Sequence, residues 1–156
     1  LDMIRNLTGG DCRTISGVGW NPPWGSFAGF SSGLYLCSMD NGTQAMYEGN
    51  LSGAGHQNTW HHEYYRAECE LGSLSMGADD VLMLEKAGKP MKLIPINETQ
   101  FYGQQQIFSE FLDWLDGGKA PETVLDDNLK SMAMVFAAVE AGKSGNTVNV
   151  ADFLPA

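Results

Sequence analysis

Turn-forming residues recur so often between residues 11 and 94 that only short extended segments fit between them. This punctuation limits the fold more than any other feature of the chain. Residues 13–20 are a β-branched, glycine-containing run that stops at Asn21-Pro22-Pro23, whose prolines cannot donate to a sheet ladder. Residues 24–32 read as an irregular loop rich in Gly, Ser and aromatic side chains. The runs 34–39 and 43–51 flank Asp40-Asn41-Gly42, and Asn-Gly between two strand-like runs predicts a hairpin, because both residues tolerate positive φ. Beyond residues 52–58, a long strand is expected over 59–71. Gly72 turns it, and short strands follow over 74–76, 81–85 and 91–94.

Helical spacing dominates the rest. Leu1, Met3, Ile4 and Leu7 repeat at three and four and are stopped by Gly9-Gly10, so the chain opens inside a helix, as a fragment would. Asn97 reads as an N-cap with Gln100 at the third helical position. Phe101, Ile107, Phe108, Phe111, Leu112 and Leu115 then form an apolar stripe, weakened by Gly103 and ended by Gly117-Gly118. A last helix starts at Asp126 or Asp127 and carries Leu129, Met132, Val135, Phe136 and Val139, with Gly142 near its end; residues 147–150 could add an edge strand. Strands first and helices after predict an α+β fold: a mostly antiparallel open-faced β-sheet with helices packed on one face. Residues 1–156 are expected to form a single domain, since a chain of this length can bury a sizeable core.

Charge narrows the partners. Nineteen acidic residues against nine basic ones leave a net charge of −10, which repels nucleic-acid phosphates and anionic membranes. No run approaches the roughly 18 apolar residues of a membrane helix, so a soluble protein is expected. Cys12, Cys37 and Cys69 are widely spaced and odd in number, which indicates neither a disulfide framework nor a zinc knuckle and makes a reducing, cytoplasmic location the default. The four Asn-x-Ser/Thr matches at Asn6, Asn41, Asn50 and Asn97 are short enough to arise by chance.

Two phosphate-loop lookalikes fail. Gly142-Lys143-Ser144 ends a helix where a phosphate loop would open one, and Gly17-Val18-Gly19 is followed by Pro22 where a dinucleotide fingerprint needs glycine. The densest polar cluster is His56 with Trp60-His61-His62-Glu63-Tyr64-Tyr65-Arg66. On a strand, neighbouring side chains point to opposite faces, so His61 and His62 cannot readily share a metal, and only a partner such as His56 could complete a zinc site. Trp60, His62, Tyr64, Arg66 and Glu68 would share one face, while Tyr65, Ala67, Cys69 and Leu71 would form core beneath the helices. The first face is either half-solvated sheet surface or a surface that meets a ligand or another domain. Trp20, Trp24, Phe27 and Phe30 could form a lid or simply tuck beneath their loop. No serine, histidine and acid constellation announces a nucleophile.

Taken in order, several segments resemble a known family. They are Leu1-Asp2-Met3-Ile4-Arg5-Asn6-Leu7-Thr8-Gly9, the Asn-Gly hairpin, Glu68-Cys69-Glu70-Leu71-Gly72-Ser73-Leu74, and Phe111-Leu112-Asp113-Trp114-Leu115-Asp116-Gly117-Gly118-Lys119-Ala120-Pro121 leading to Ala137, Gly145 and Val148. Together they resemble the C-terminal domain of the glucose-fructose oxidoreductase, inositol dehydrogenase and MocA family. That resemblance implies an N-terminal Rossmann domain, absent from this chain, that holds NAD or NADP. It also implies a sheet that walls a sugar or polyol site and builds a homo-oligomer. It places the aspartate of a histidine-aspartate motif on Asp2, with the catalytic histidine before Leu1, and assigns the catalytic lysine to the nucleotide domain. Glu85-Lys86, set in a hairpin, is a decoy for that lysine's motif.

The resemblance thus implies part of a dehydrogenase that moves hydride between nicotinamide and a carbinol carbon, inactive by itself and without catalytic, cofactor or metal residues of its own. Trp24, His56, Trp60, His62, Tyr64 and Arg66 are the candidate substrate-binding or domain-facing residues. The alternative is a self-standing, non-catalytic binding or assembly module that uses an exposed β-sheet face.

Overall fold

The computed structural model describes residues 1–55, 63–77, 79–96 and 99–155. Residues 1–52 with 107–156 make one compact unit, and residues 53–106 make another. The expected α+β class is observed: the described residues form three α-helices and antiparallel strands divided between two four-stranded sheets.

In the first unit α1 (Asp2–Thr8) ends where predicted, at Gly9 in the left-handed conformation with φ 65°. β1 (Cys12–Trp20), β2 (Ser32–Met39) and β3 (Gln44–Asn50) follow. The expected hairpin forms with a different turn. Met39 N–H donates to Thr43 O at 2.9 Å, and Gly42 has φ 89° while Asn41 is not among the positive-φ residues. The connection is therefore the three-residue kind with glycine at the left-handed position, and Asn41 instead accepts the Thr43 N–H through its side chain at 3.1 Å.

α2 (Gln104–Leu115) starts later than the spacing implied, because Gly103 takes φ 54° and lies outside the helix. The Asn97 cap falls outside the described residues. α2 buries no residue, so its apolar stripe is exposed and does not feed a core. β8 (Val148–Asn149) pairs with β1 as the expected edge strand, giving the order β3-β2-β1-β8.

α3 (Leu125–Ser144) overturns a second expectation. Its large apolar residues Met132, Val135, Phe136 and Val139 are exposed, and the buried face is Ser131, Ala133, Met134, Ala137, Ala138 and Ala141. The reason is distance. A Cβ on Gly142 would lie 2.9 Å from the Tyr35 hydroxyl and 3.3 Å from Gly19 N, so the helix sits too close to β1 and β2 for branched side chains. Ile15, Cys37 and Met39 complete this core from the sheet. Small residues and the unbranched Met134 thus face the sheet, and the periodicity of Met132, Val135, Phe136 and Val139 points the wrong way.

The second unit carries β4 (Tyr65–Cys69), β5 (Gly72–Met76), β6 (Leu82–Glu85) and β7 (Lys92–Ile94), a meander in the order β4-β5-β6-β7. The β4–β5 turn is Glu70-Leu71, just before the expected Gly72, which opens β5, and Gly88 lies between β6 and β7 with φ 69°. The strand expected over 59–71 is shorter: among the described residues it runs only from Tyr65. Nor do Ala67, Cys69 and Leu71 form core; all three are exposed and Tyr65 is half-buried.

Candidate functional site

β2 reads Leu34-Tyr35-Leu36-Cys37, apolar on both faces, which is the pattern of a strand covered twice. One face meets α3. On the other, Val18 lies opposite Leu34, and Leu36 lies opposite Met46. All four are exposed, Met46 at 87%, and Trp20 continues the same face of β1. This open apolar face of the first sheet was not singled out from sequence, although the unbroken apolar run on β2 carried its signal.

At the adjoining end of the sheet, the loop between β1 and β2 is pinned rather than loose. The Asn21 side-chain amide donates to Phe27 O and Gly29 O, and its carbonyl accepts from Ser31 N–H at 2.9 Å. The Trp24 indole N–H donates to Ser52 O at 2.8 Å, and the Ser52 and Ser31 hydroxyls meet at 2.7 Å. Trp24 is nevertheless 74% exposed, so its ring is presented outward with its polar edge already satisfied.

The other candidates belong to the second unit. Tyr64 is exposed, and Arg66 forms an ion pair with Glu68, two residues along on the same face as the alternation predicted. That carboxylate raises the Arg66 guanidinium above its ordinary value. His56, Trp60 and His62 lie outside the described residues, so the zinc alternative built on His56 does too. Among the described residues no group of three or more His, Cys, Asp or Glu side chains could hold a metal ion.

A polar cluster that sequence reading passed over fastens α1 to α3. The buried Arg5 guanidinium donates to Asp11 at 2.9 Å, to Asp127 at 2.6 Å and to the Ser131 hydroxyl at 2.8 Å, and Lys130 donates to Asp11 at 2.7 Å. Asp2 accepts from the same Ser131 hydroxyl. Hydrogen bonds from Lys130 and Arg5 hold the Asp11 carboxyl below the usual carboxylate range, and Arg5 does the same to Asp127. The cluster borders an open cleft of about 580 Å³. All three guanidinium nitrogens of Arg5 already have acceptors, so the cluster reads as a fastener with no group aimed at a ligand.

All sheet pairings among the described residues are antiparallel, so they form no βαβ crevice in which a dinucleotide could sit at a helix N-terminus.

The comparisons agree with this architecture. No family model matches the chain. A curated relative, the uncharacterized protein y4oX of Sinorhizobium fredii, is 30% identical over 166 residues, covering 99% of this chain and 45% of its own. Among solved structures, an oxidoreductase from Agrobacterium radiobacter in complex with NAD+, L-tartaric acid and magnesium matches with TM-score 0.81 at 18% identity, over 98% of this chain and 47% of that one. The aldose-aldose oxidoreductase from Caulobacter crescentus complexed with glycerol matches at 0.78 and 16% identity, over 95% and 44%. A levoglucosan dehydrogenase in complex with NADH matches at 0.75 and 17% identity, over 96% and 47%. The solved structures are oxidoreductases of the glucose-fructose oxidoreductase, inositol dehydrogenase and MocA type, and this chain has the fold of their C-terminal domain. It spans slightly less than half the length of the relative and of each of these structures. No helix among the described residues is long and apolar enough to cross a membrane.

Proposed function

We propose that the chain is the substrate-side and assembly domain of a cytoplasmic NAD(P)-dependent oxidoreductase acting on a sugar or polyol. A Rossmann domain elsewhere in the full-length protein would hold the nicotinamide cofactor, which supplies the hydride chemistry. The observation that carries the reading is the fold match over 98% of the chain to less than half of an NAD+-bound oxidoreductase. In this reading Trp24, Tyr64 and Arg66, with His56, Trp60 and His62, face the substrate or the cofactor domain. The open face formed by Val18, Leu34, Leu36 and Met46 joins copies of the chain into a homo-oligomer.

The decisive experiment is reduction of NAD+ or NADP+ by the full-length protein over a panel of aldoses and polyols. Turnover with at least one, and none by this chain alone, is expected. No turnover with any of them, from a protein that binds the cofactor, would remove the sugar reading. The same open face also favours a non-catalytic assembly module. Sedimentation of Met46→Glu separates the two: under the enzyme reading it reduces both oligomer size and turnover, whereas a pure assembly module loses only the oligomer.

A further inference from the structure

Cys12 on β1 and Cys37 on β2 are widely separated in sequence, yet they lie together in the core beneath α3. The ladder explains how. Cys12 lies opposite Met39 and Ile15 opposite Cys37, with an irregularity of register between Cys12 and Thr14, so the strand carries an extra residue at this end. The Cys12 sulfur lies 3.4 Å from Thr14 O and 3.8 Å from Ser38 O, the residue next to Cys37, so the two cysteines are diagonal neighbours on the buried face of adjacent strands. Cys37 is completely buried, and Cys12 is 8% exposed.

The pair is also reachable. An open cleft of about 410 Å³, bordered by Asp11, Arg13, Lys130, Asn149 and Asp152, has Cys12 in its wall. A small oxidant that enters this cleft meets Cys12, while Cys37 is closed off from solvent. Cys69, by contrast, is exposed in the second unit. We propose that Cys12 and Cys37 are a redox pair that closes to an intrachain disulfide when a small hydroperoxide enters this cleft.

The chemistry balances within the pair and the oxidant. The Cys12 sulfur takes one oxygen from hydrogen peroxide, the O–O bond breaks, and hydroxide leaves with the thiol proton as water. The Cys37 sulfur then attacks Cys12 sulfur, forming S–S and breaking S–O, and a second water leaves. Two thiols lose two electrons in all, and one peroxide becomes two waters. Closure ties the bulged start of β1 to β2, beside the Arg5 fastening, and a thiol reductant reverses it.

The test uses the full chain carrying Cys69→Ser, treated with hydrogen peroxide while folded, then denatured and alkylated. Loss of both alkylatable thiols, a mass lower by two hydrogens, a cross-linked peptide joining Cys12 to Cys37 and recovery with dithiothreitol are the expected results. Two thiols still alkylated after treatment would overturn the proposal, as would oxygen added to Cys12 with no cross-link. Cys37→Ser should lose the cross-link and leave Cys12 oxygenated. Should that variant not fold, the mass and peptide readout on the Cys69→Ser chain decides alone.

Discussion

The two units reach stability differently. In the first, ten apolar residues are buried in one cluster where α3 lies on β1 and β2, and small side chains let the layers approach. In the second, no described residue is fully buried, and β4–β7 form a meander held by ladder hydrogen bonds and half-buried Leu and Met. Both are antiparallel four-stranded sheets. The difference shows that strand pairing makes a sheet, while a closely packed layer makes a core.

The largest test of that contrast is Met134→Ala. Met134 is fully buried beneath the sheet, so its truncation should destabilise the protein by about 2–5 kcal/mol, read from the denaturant midpoint. If the second unit lacks a comparable core, Leu74→Ala should change stability by less than about 1 kcal/mol. Equal effects would erase the distinction between the units.

Between these extremes lies Arg5→Met, which leaves Asp11 and Asp127 facing each other without their shared cation. A loss of about 1–2 kcal/mol is expected, less than for a fully buried pair because both carboxylates are more than 40% exposed. The pH dependence follows from the depressed carboxyl values. Their contribution is present above the unfolded carboxylate value of about 4 and is lost as pH falls through the lower folded values. Thermal melts should therefore show wild type losing more stability on acidification than Arg5→Met. The smallest expected effect is Arg66→Ala, which touches only an exposed ion pair. Its melting temperature should match wild type, while the Michaelis constant of the full-length enzyme rises. Unchanged kinetics would take Arg66 out of the site.

Legibility in the sequence followed the same division. Turn chemistry is local, so the hairpin at Gly42 and the cap at Gly9 were readable, whereas the last helix runs past the expected Gly142 to a cap at Gly145. The buried face of α3 was not, because its alanines carry no periodic signal as strong as Met132, Val135, Phe136 and Val139. Of the six candidate site residues, the structure describes Trp24, Tyr64 and Arg66, and it describes all three as accessible. The open face around Leu36 was legible in principle, in the strand with apolar residues on both sides.

Residue order alone determined where the chain turns, which segments extend and which coil, since those choices are settled by φ preferences and hydrogen bonding over a few neighbours. Only the tertiary structure decided which helix face meets the sheet and that Arg5 would gather Asp11 and Asp127. It also brought Cys12 beside Cys37. Those outcomes depend on how closely two layers can approach, a distance that no stretch of sequence specifies by itself.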